Sequence, residues 1–244
     1  MADENRNISN EVTDAILEKP IPFTIGDGRF FYLYQPSLGI NLLAGQLLQN
    51  LQLNRKLLKT NKPAELLRVS EEQRDLVLRI VCLHTFSRRS EVLREEQLQK
   101  RIKELDVLSA PDIATLLVSI LSWDGRQEKF MKHFKLNMER RTRQRIYEYK
   151  KSKGGSLTFG GRSLYGIILD AACERYGWEY GYTLWGISSL NLNMLLADSV
   201  QSVYLSKDEA SEAHVSTDGI YIDMSDPENA RENARALQRL VNGK

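Results

Sequence analysis

Apolar residues recur at three- and four-residue spacing along most of this chain, a period that admits little except helices packed on one another. It is clearest in LGINLLAGQLLQNLQL, where Leu38, Leu42, Leu43, Leu47, Leu48 and Leu51 follow it. It returns in Leu76, Val77, Ile80, Val81 and Leu83. The segment IATLLVSILSW is apolar almost all round and belongs at the centre of a core. One stretch breaks the rule. The runs IPFTI and RFFYLY flank Gly26-Asp27-Gly28 and predict a hairpin closed by Pro36. The expected fold class is therefore mainly α: two helical domains with a short N-terminal β-hairpin.

Local punctuation divides the pattern. Ser70-Glu71-Glu72-Gln73 reads as a capping box opening a helix. A densely charged helix follows from about Ser90 to Leu105. Ser109-Ala110-Pro111-Asp112 opens another, with proline near its first turn, and Asp124-Gly125 is expected to end it. Residues 127–151 read as helical and highly charged, interrupted by Phe130, Met131 and Phe134. Ser152-Lys153-Gly154-Gly155 is the clearest linker signal. The expected layout is a flexible N-terminus (1–19), an N-terminal helical domain with the hairpin (20–151), a C-terminal helical domain (156–206), and an acidic tail (207–244). That tail is read as irregular to about residue 225 and then helical from Asp226-Pro227. Within the second domain, Leu164, Ile167, Ile168, Ala171 and Ala172 form the apolar face of a helix from about Ser163 to Arg175, which Gly177 terminates. A further helix is expected from about Ser188 to Leu205.

The chain has 244 residues and a formal net charge of +2, so neither wholesale nucleic-acid binding nor a membrane surface is the default partner. The charge is unevenly placed. Between Lys132 and Lys153 stand nine basic residues against two acidic ones; between Lys207 and Glu232 stand eight acidic against two basic. These blocks can attract each other or serve separate partners. Arg140, Arg141, Arg143, Arg145, Lys150 and Lys151, interleaved with Tyr147 and Tyr149, are candidates for contact with an anionic partner. A solvated helix is the plainer reading, and it disfavours nucleic acid. Cys82 and Cys173 lie inside apolar helical patterns, as reduced thiols do. No apolar stretch approaches the roughly 18 residues that span a bilayer, and no signal peptide is visible, so a soluble intracellular protein is expected.

Tests for chemistry remove the usual sites. His84, His133 and His214 are far apart, and no cysteine or histidine pair has zinc spacing. Cys173 sits in a patch of small residues, and no Gly-x-Ser-x-Gly elbow is present. Phe159-Gly160-Gly161-Arg162-Ser163 lacks the Gly-Lys-Ser/Thr ending of a phosphate loop and reads as a tight loop with Ser163 capping the next helix. Asp170 and Glu174 are four apart on one helix and read as structural or interface charges. No catalytic residue, metal ligand or cofactor is expected.

Residues 154–206 remain distinctive, with eight of the fifteen glycines, two of the three tryptophans and five of the ten tyrosines. Three motifs stand out: Thr158-Phe159-Gly160-Gly161-Arg162-Ser163-Leu164-Tyr165-Gly166, Ala172-Cys173-Glu174-Arg175-Tyr176-Gly177-Trp178 and Leu184-Trp185-Gly186-Ile187-Ser188. In them the chain resembles the tail assembly chaperones of long-tailed bacteriophages and prophages. The resemblance covers about residues 156–206, and the stretch from Ile21 to about Phe134 is similar only in layout. It implies a non-enzymatic protein in the cytoplasm of a bacterial host. Such a protein binds the helical tape measure protein, helps recruit tail tube subunits and leaves the finished particle; oligomerisation is compatible with that role. In that family a longer product often arises by frameshifting, and a boundary near Lys150-Lys151-Ser152-Lys153 suits it. Phe159, Tyr165, Trp178, Tyr180, Tyr182 and Trp185 are the candidate partner-binding residues, with core packing an equal alternative for Trp178 and Trp185. A structural virion component (connector or baseplate) is the competing function, followed by a nucleic-acid-binding regulator.

Overall fold

The computed structural model describes residues 2–26, 28–154, 161–199, 203 and 205–215. It is mainly α, with one two-stranded antiparallel sheet among the described residues. Helix α1 (Ala2–Ile16) precedes strands β1 (Ile21–Thr24) and β2 (Phe30–Leu33). Then come α2 (Leu38–Asn50), α3 (Arg55–Thr60), α4 (Lys62–Glu72), α5 (Arg74–Leu83), α6 (Arg89–Val92), α7 (Glu95–Leu105) and α8 (Ala110–His133). After α9 (Leu136–Ser152), a π-helical segment (Tyr165–Asp170) runs into α10 (Ala171–Tyr176). It is followed by α11 (Tyr180–Trp185), α12 (Ser189–Ala197) and α13 (Lys207–Glu212).

The hairpin forms as its sequence predicts, with Ile21 opposite Leu33 and Thr24 opposite Phe30. Gly28, at φ +80°, supplies the left-handed residue the turn needs, and its N–H donates to the Ile25 carbonyl at 2.8 Å. Helices α4, α5 and α8 bury Leu66, Val69, Val77, Ile80, Ile113 and Leu117 completely. The all-round apolar segment of α8 thus lies in the main core, where each such side chain contributes about 1.5–3 kcal/mol. One carboxylate is buried with them. Glu65 accepts the Asn54 N–H at 2.6 Å and a fork from Arg68 at 2.6 and 2.9 Å. Arg68 also donates to the Gln52 carbonyl at 2.8 Å, so this cluster fastens the α2–α3 connection onto α4.

Several boundaries differ from expectation, each for a visible reason. Ser70 does not open a helix. Asn61 caps α4 eleven residues long, with Pro63 in its first turn, and the Ser70 hydroxyl bonds back to the Leu66 carbonyl at 2.7 Å. The charged run after Ser90 is two helices, α6 and α7, rather than one. Helix α8 starts where predicted, at Ser109-Ala110-Pro111-Asp112, with Ser109 and Asp112 forming a capping box, but continues through Gly125 to His133. A mid-helix glycine costs only about 1 kcal/mol, and the extra turns bury Phe130 and Met131. Helix α12 stops at Ala197, short of Leu205, and residues 207–212 are helical rather than irregular, opened by a Ser206–Glu209 capping box. The helix expected from Asp226 lies outside the described residues.

The domain layout is also revised. Contacts group Met1–Phe134 with Gly160–Ser199 in one compact unit, and Lys135–Phe159 with Val200–Lys244 in a second. Residues 161–199 therefore pack with the N-terminal helices and do not form a separate domain beginning at 156. Nor is the stretch 1–19 a loose leader. Ala15 of α1 is buried with Phe130 of α8 and Leu190 of α12. Glu18 accepts the Ser188 N–H at 2.7 Å and the Asn191 amide at 3.0 Å, and Glu11 pairs with Lys129 at 2.8 Å. A carboxylate at the N-terminus of α12 is favourably placed against the helix dipole.

Candidate functional site

The aromatic module is built by two glycines. Gly177, at φ +64°, ends α10 in the left-handed conformation, as the sequence predicts, and turns the chain toward Trp178. At Gly186 the missing side chain makes room for the Tyr182 ring, which a Cβ there would strike. Between them Tyr176 stacks on Trp178 at 4.6 Å, and Trp178 meets the edge of Tyr182 at 5.2 Å. Tyr176 donates its hydroxyl to the Leu195 carbonyl at 2.8 Å. The base of this ladder, Tyr176 and Trp178, packs on a cluster of Leu38, Leu169, Ala172, Ile187 and Leu192. Its outer edge is open: Tyr180 is 53% exposed and Tyr182 is 46% exposed.

Trp185 points elsewhere. Its ring packs over α2 at Gly39, where a Cβ would come within 2.6 Å of it, and Arg89 lies 5.9 Å from the ring centre. It is half-buried against the main core, and its role there is packing. Trp178 is half-buried too, bridging core and ledge. Tyr165 is 69% exposed. Phe159 lies outside the described residues.

The π-helical segment explains a misplaced apolar face. An α-helical period sets Ile167 inward; the extra residue per turn from Tyr165 to Asp170 rotates the register, so that Leu169 is buried and Ile167 is 55% exposed. Tyr165 and Ile167 thereby add to the exposed apolar surface of the same motif-bearing stretch. No pattern in the sequence signalled the π turn.

The second unit resolves the charge question within itself. Glu212 of α13 accepts from the Tyr149 hydroxyl at 3.0 Å and pairs with Lys153 at 2.7 Å, while Arg145 donates to the His214 carbonyl at 3.0 Å. The bond from Lys153 holds the Glu212 carboxyl below its ordinary range, and Glu212 in turn raises Lys153. Ala210 and Ala213 are buried, as is Ile146 of α9. In the described part of the acidic segment, α13 has met the basic helix. Arg140, Arg141, Arg145, Lys150 and Lys151 are exposed and Arg143 is half-buried.

His84 and Cys82 sit in packing roles. His84 is buried, stacked on Trp123 at 5.8 Å, with Nδ1 2.8 Å from the Ile80 carbonyl. Burial pushes its pKa down to about 4. Burial pushes the Cys82 thiol up to about 12, against the Leu98 carbonyl. Both are neutral at pH 7. Cys173 lies 3.5 Å from the Thr183 hydroxyl. Among the described residues no group of three or more His, Cys, Asp or Glu is placed to hold a metal, and no helix is long and apolar enough to cross a membrane. Comparison with known proteins finds no matching family model, curated protein or solved structure.

Proposed function

We propose that this protein is a non-enzymatic assembly chaperone of the phage-tail type, which binds the tape measure protein and helps recruit tail tube subunits to it. The observation that carries the reading is the open aromatic ledge of Tyr180 and Tyr182, built by the motifs that carry the family resemblance. Rigid aromatic side chains standing on a packed base suit the apolar face of a helical client with anchors at three- and four-residue spacing.

The test is binding of tape measure fragments to purified protein by calorimetry. Tyr182→Ala and Tyr180→Ala are expected to weaken binding by roughly 2 kcal/mol, about thirtyfold, with the fold retained; Tyr180→Ala leaves the thermal melt unchanged, and Tyr182→Ala lowers it only by the lost contact with Trp178. Trp185→Ala is expected to lower stability instead. Equal affinity of the Tyr182→Ala protein for every fragment sinks the proposal. Stoichiometric presence in purified particles assigns the protein to the virion, and steeply salt-dependent DNA binding through 132–153 assigns it to nucleic acid.

A further inference from the structure

Among the described residues three buried polar atoms meet no hydrogen-bond partner: Nε1 of Trp123, Oε1 of Gln35 and the hydroxyl of Ser189. Each residue is more than nine-tenths buried, and all three line one cleft of about 90 Å³. Buried polar groups are almost always paired, so three orphans around one space mark a place shaped for a polar guest. The elements bring them together for different reasons. Gln35 follows β2, Trp123 comes from the middle of α8, and Ser189 opens α12, all within the first unit.

The donor and acceptor pattern is specific. Gln35 donates its Nε2 to the Asp14 carbonyl at 3.3 Å, which sets the amide so that its carbonyl end is the unpaired one. Trp123 Nε1 only donates, and the Ser189 hydroxyl does either. At the rim, Asn193 and Gln127 satisfy each other at 3.0 Å. Among the described residues no Lys, Arg, Asp or Glu lines the cleft, so a charged guest would lose its hydration without a counter-charge from them.

We propose that this cleft binds a small neutral group with an acceptor and a donor side by side, a primary carboxamide. Its oxygen accepts from Trp123, its NH₂ donates to Gln35, and Ser189 completes the set. The space is ample for several waters or for a small organic group. A free small amide and the side chain of an Asn or Gln on a bound peptide present the same chemistry.

The experiment follows the three indole N–H resonances of the full chain by ¹⁵N NMR, with Trp123→Phe identifying one of them. Acetamide, acetone and acetate are titrated separately. Acetamide is expected to shift the Trp123 resonance to saturation, acetone about fivefold more weakly for want of a donor, and acetate not at all. Ser189→Ala, checked for an unchanged melt, is expected to weaken acetamide about fivefold, and Gln35→Leu serves as the second variant. An alanine-based helical peptide with one Gln, against the same peptide with Leu, separates the sources: a Gln-dependent shift assigns the site to a side chain, and a shift with acetamide alone assigns it to a free amide. Linear, equal shifts from all three small molecules overturn the proposal. So does an indole–water Overhauser effect that persists unchanged at the highest acetamide concentration, since ordered water then holds the cleft.

Discussion

His84 gives this fold an acid-labile point whose size can be worked out in advance. The side chain is 2% exposed, stacked on Trp123 and bonded to the Ile80 carbonyl. Burial moves its pKa from 6.5 to about 4. In the unfolded chain the imidazole protonates near 6.5; in the folded chain it stays neutral until about pH 4. Between those values the unfolded state binds the extra proton, so stability is full above pH 6.5 and falls as pH drops, levelling out below 4. At 1.36 kcal/mol per unit, a displacement of about 2.5 units amounts to about 3 kcal/mol, a large share of the roughly 5–15 kcal/mol that holds a typical domain. His84→Gln removes the titration. Urea unfolding of both proteins at half-unit steps from pH 7.5 to 4 is expected to show the native protein losing about 3 kcal/mol more than the variant. The carboxylates held low, among them Glu65, Glu95 and Glu212, are common to both and cancel in the difference. A flat difference curve, or a His84 ring resonance titrating near 6.5, would refute the reasoning.

Two further outcomes follow from named contacts. Gly39 and Gly45 share α2, but only Gly39 faces a ring. Gly45→Ala is expected to stabilise by up to about 1 kcal/mol through helix propensity, while Gly39→Ala destabilises by about 1–3 kcal/mol. Thermal melts compare them, and Trp185→Ala in the Gly39→Ala background should remove the penalty. Glu65→Gln removes the buried one of Arg68's two carboxylate partners, leaving only the exposed Glu72, and lowers the denaturation midpoint at pH 7. Because Arg68 holds the Glu65 carboxyl below 4.5, its contribution is present above that value and lost as pH falls through the lowered one. The variant should therefore also show a flatter acid limb below pH 4.5, and an unchanged limb argues against the pair.

What could be read from sequence was what local chemistry decides. The hairpin, the helix start at Ser109 and the Gly177 terminator each follow from a few adjacent residues, and each forms. The misses depend on partners far along the chain. Gly125 is a helix breaker only if nothing rewards continuation, and Phe130 finds that reward in Ala15 and Leu190. The first nineteen residues look soluble and loose because their anchors are single residues, such as Ala15 and Glu18, whose partners Phe130, Ser188 and Leu190 lie more than a hundred positions away. At the ledge, composition pointed to the aromatics, but only the packing separates Trp185, seated over Gly39, from Tyr180 and Tyr182, which face outward. The cleft of orphaned groups had no sequence signal at all, since Gln35, Trp123 and Ser189 come from three distant segments.

The grouping of 161–199 with the N-terminal helices bears directly on the proposed function. A shorter product ending near Lys153, as the resemblance implies, would lack every residue that covers one side of the first unit. Leu38 would lose Leu169, Ala172, Ile187 and Leu192; Ala15 and Phe130 would lose Leu190; Gly39 would lose its tryptophan; and Glu18 would lose the Ser188 N–H and the Asn191 amide. At about 1.5–3 kcal/mol for each large apolar side chain uncovered, the loss matches a domain's whole margin. A chain of residues 1–153 is therefore expected to bind a hydrophobic dye and melt without cooperativity. Residues 1–199, which retain the first unit, should unfold in one sharp transition. If 1–153 shows the same denaturant midpoint as 1–199, the seam between α2 and α11–α12 contributes little. If it is destabilised as expected, a short product made by this protein has to be covered by a partner. The apolar strip on α2 around Leu38 and Gly39, uncovered by that truncation, is the surface such a partner would take.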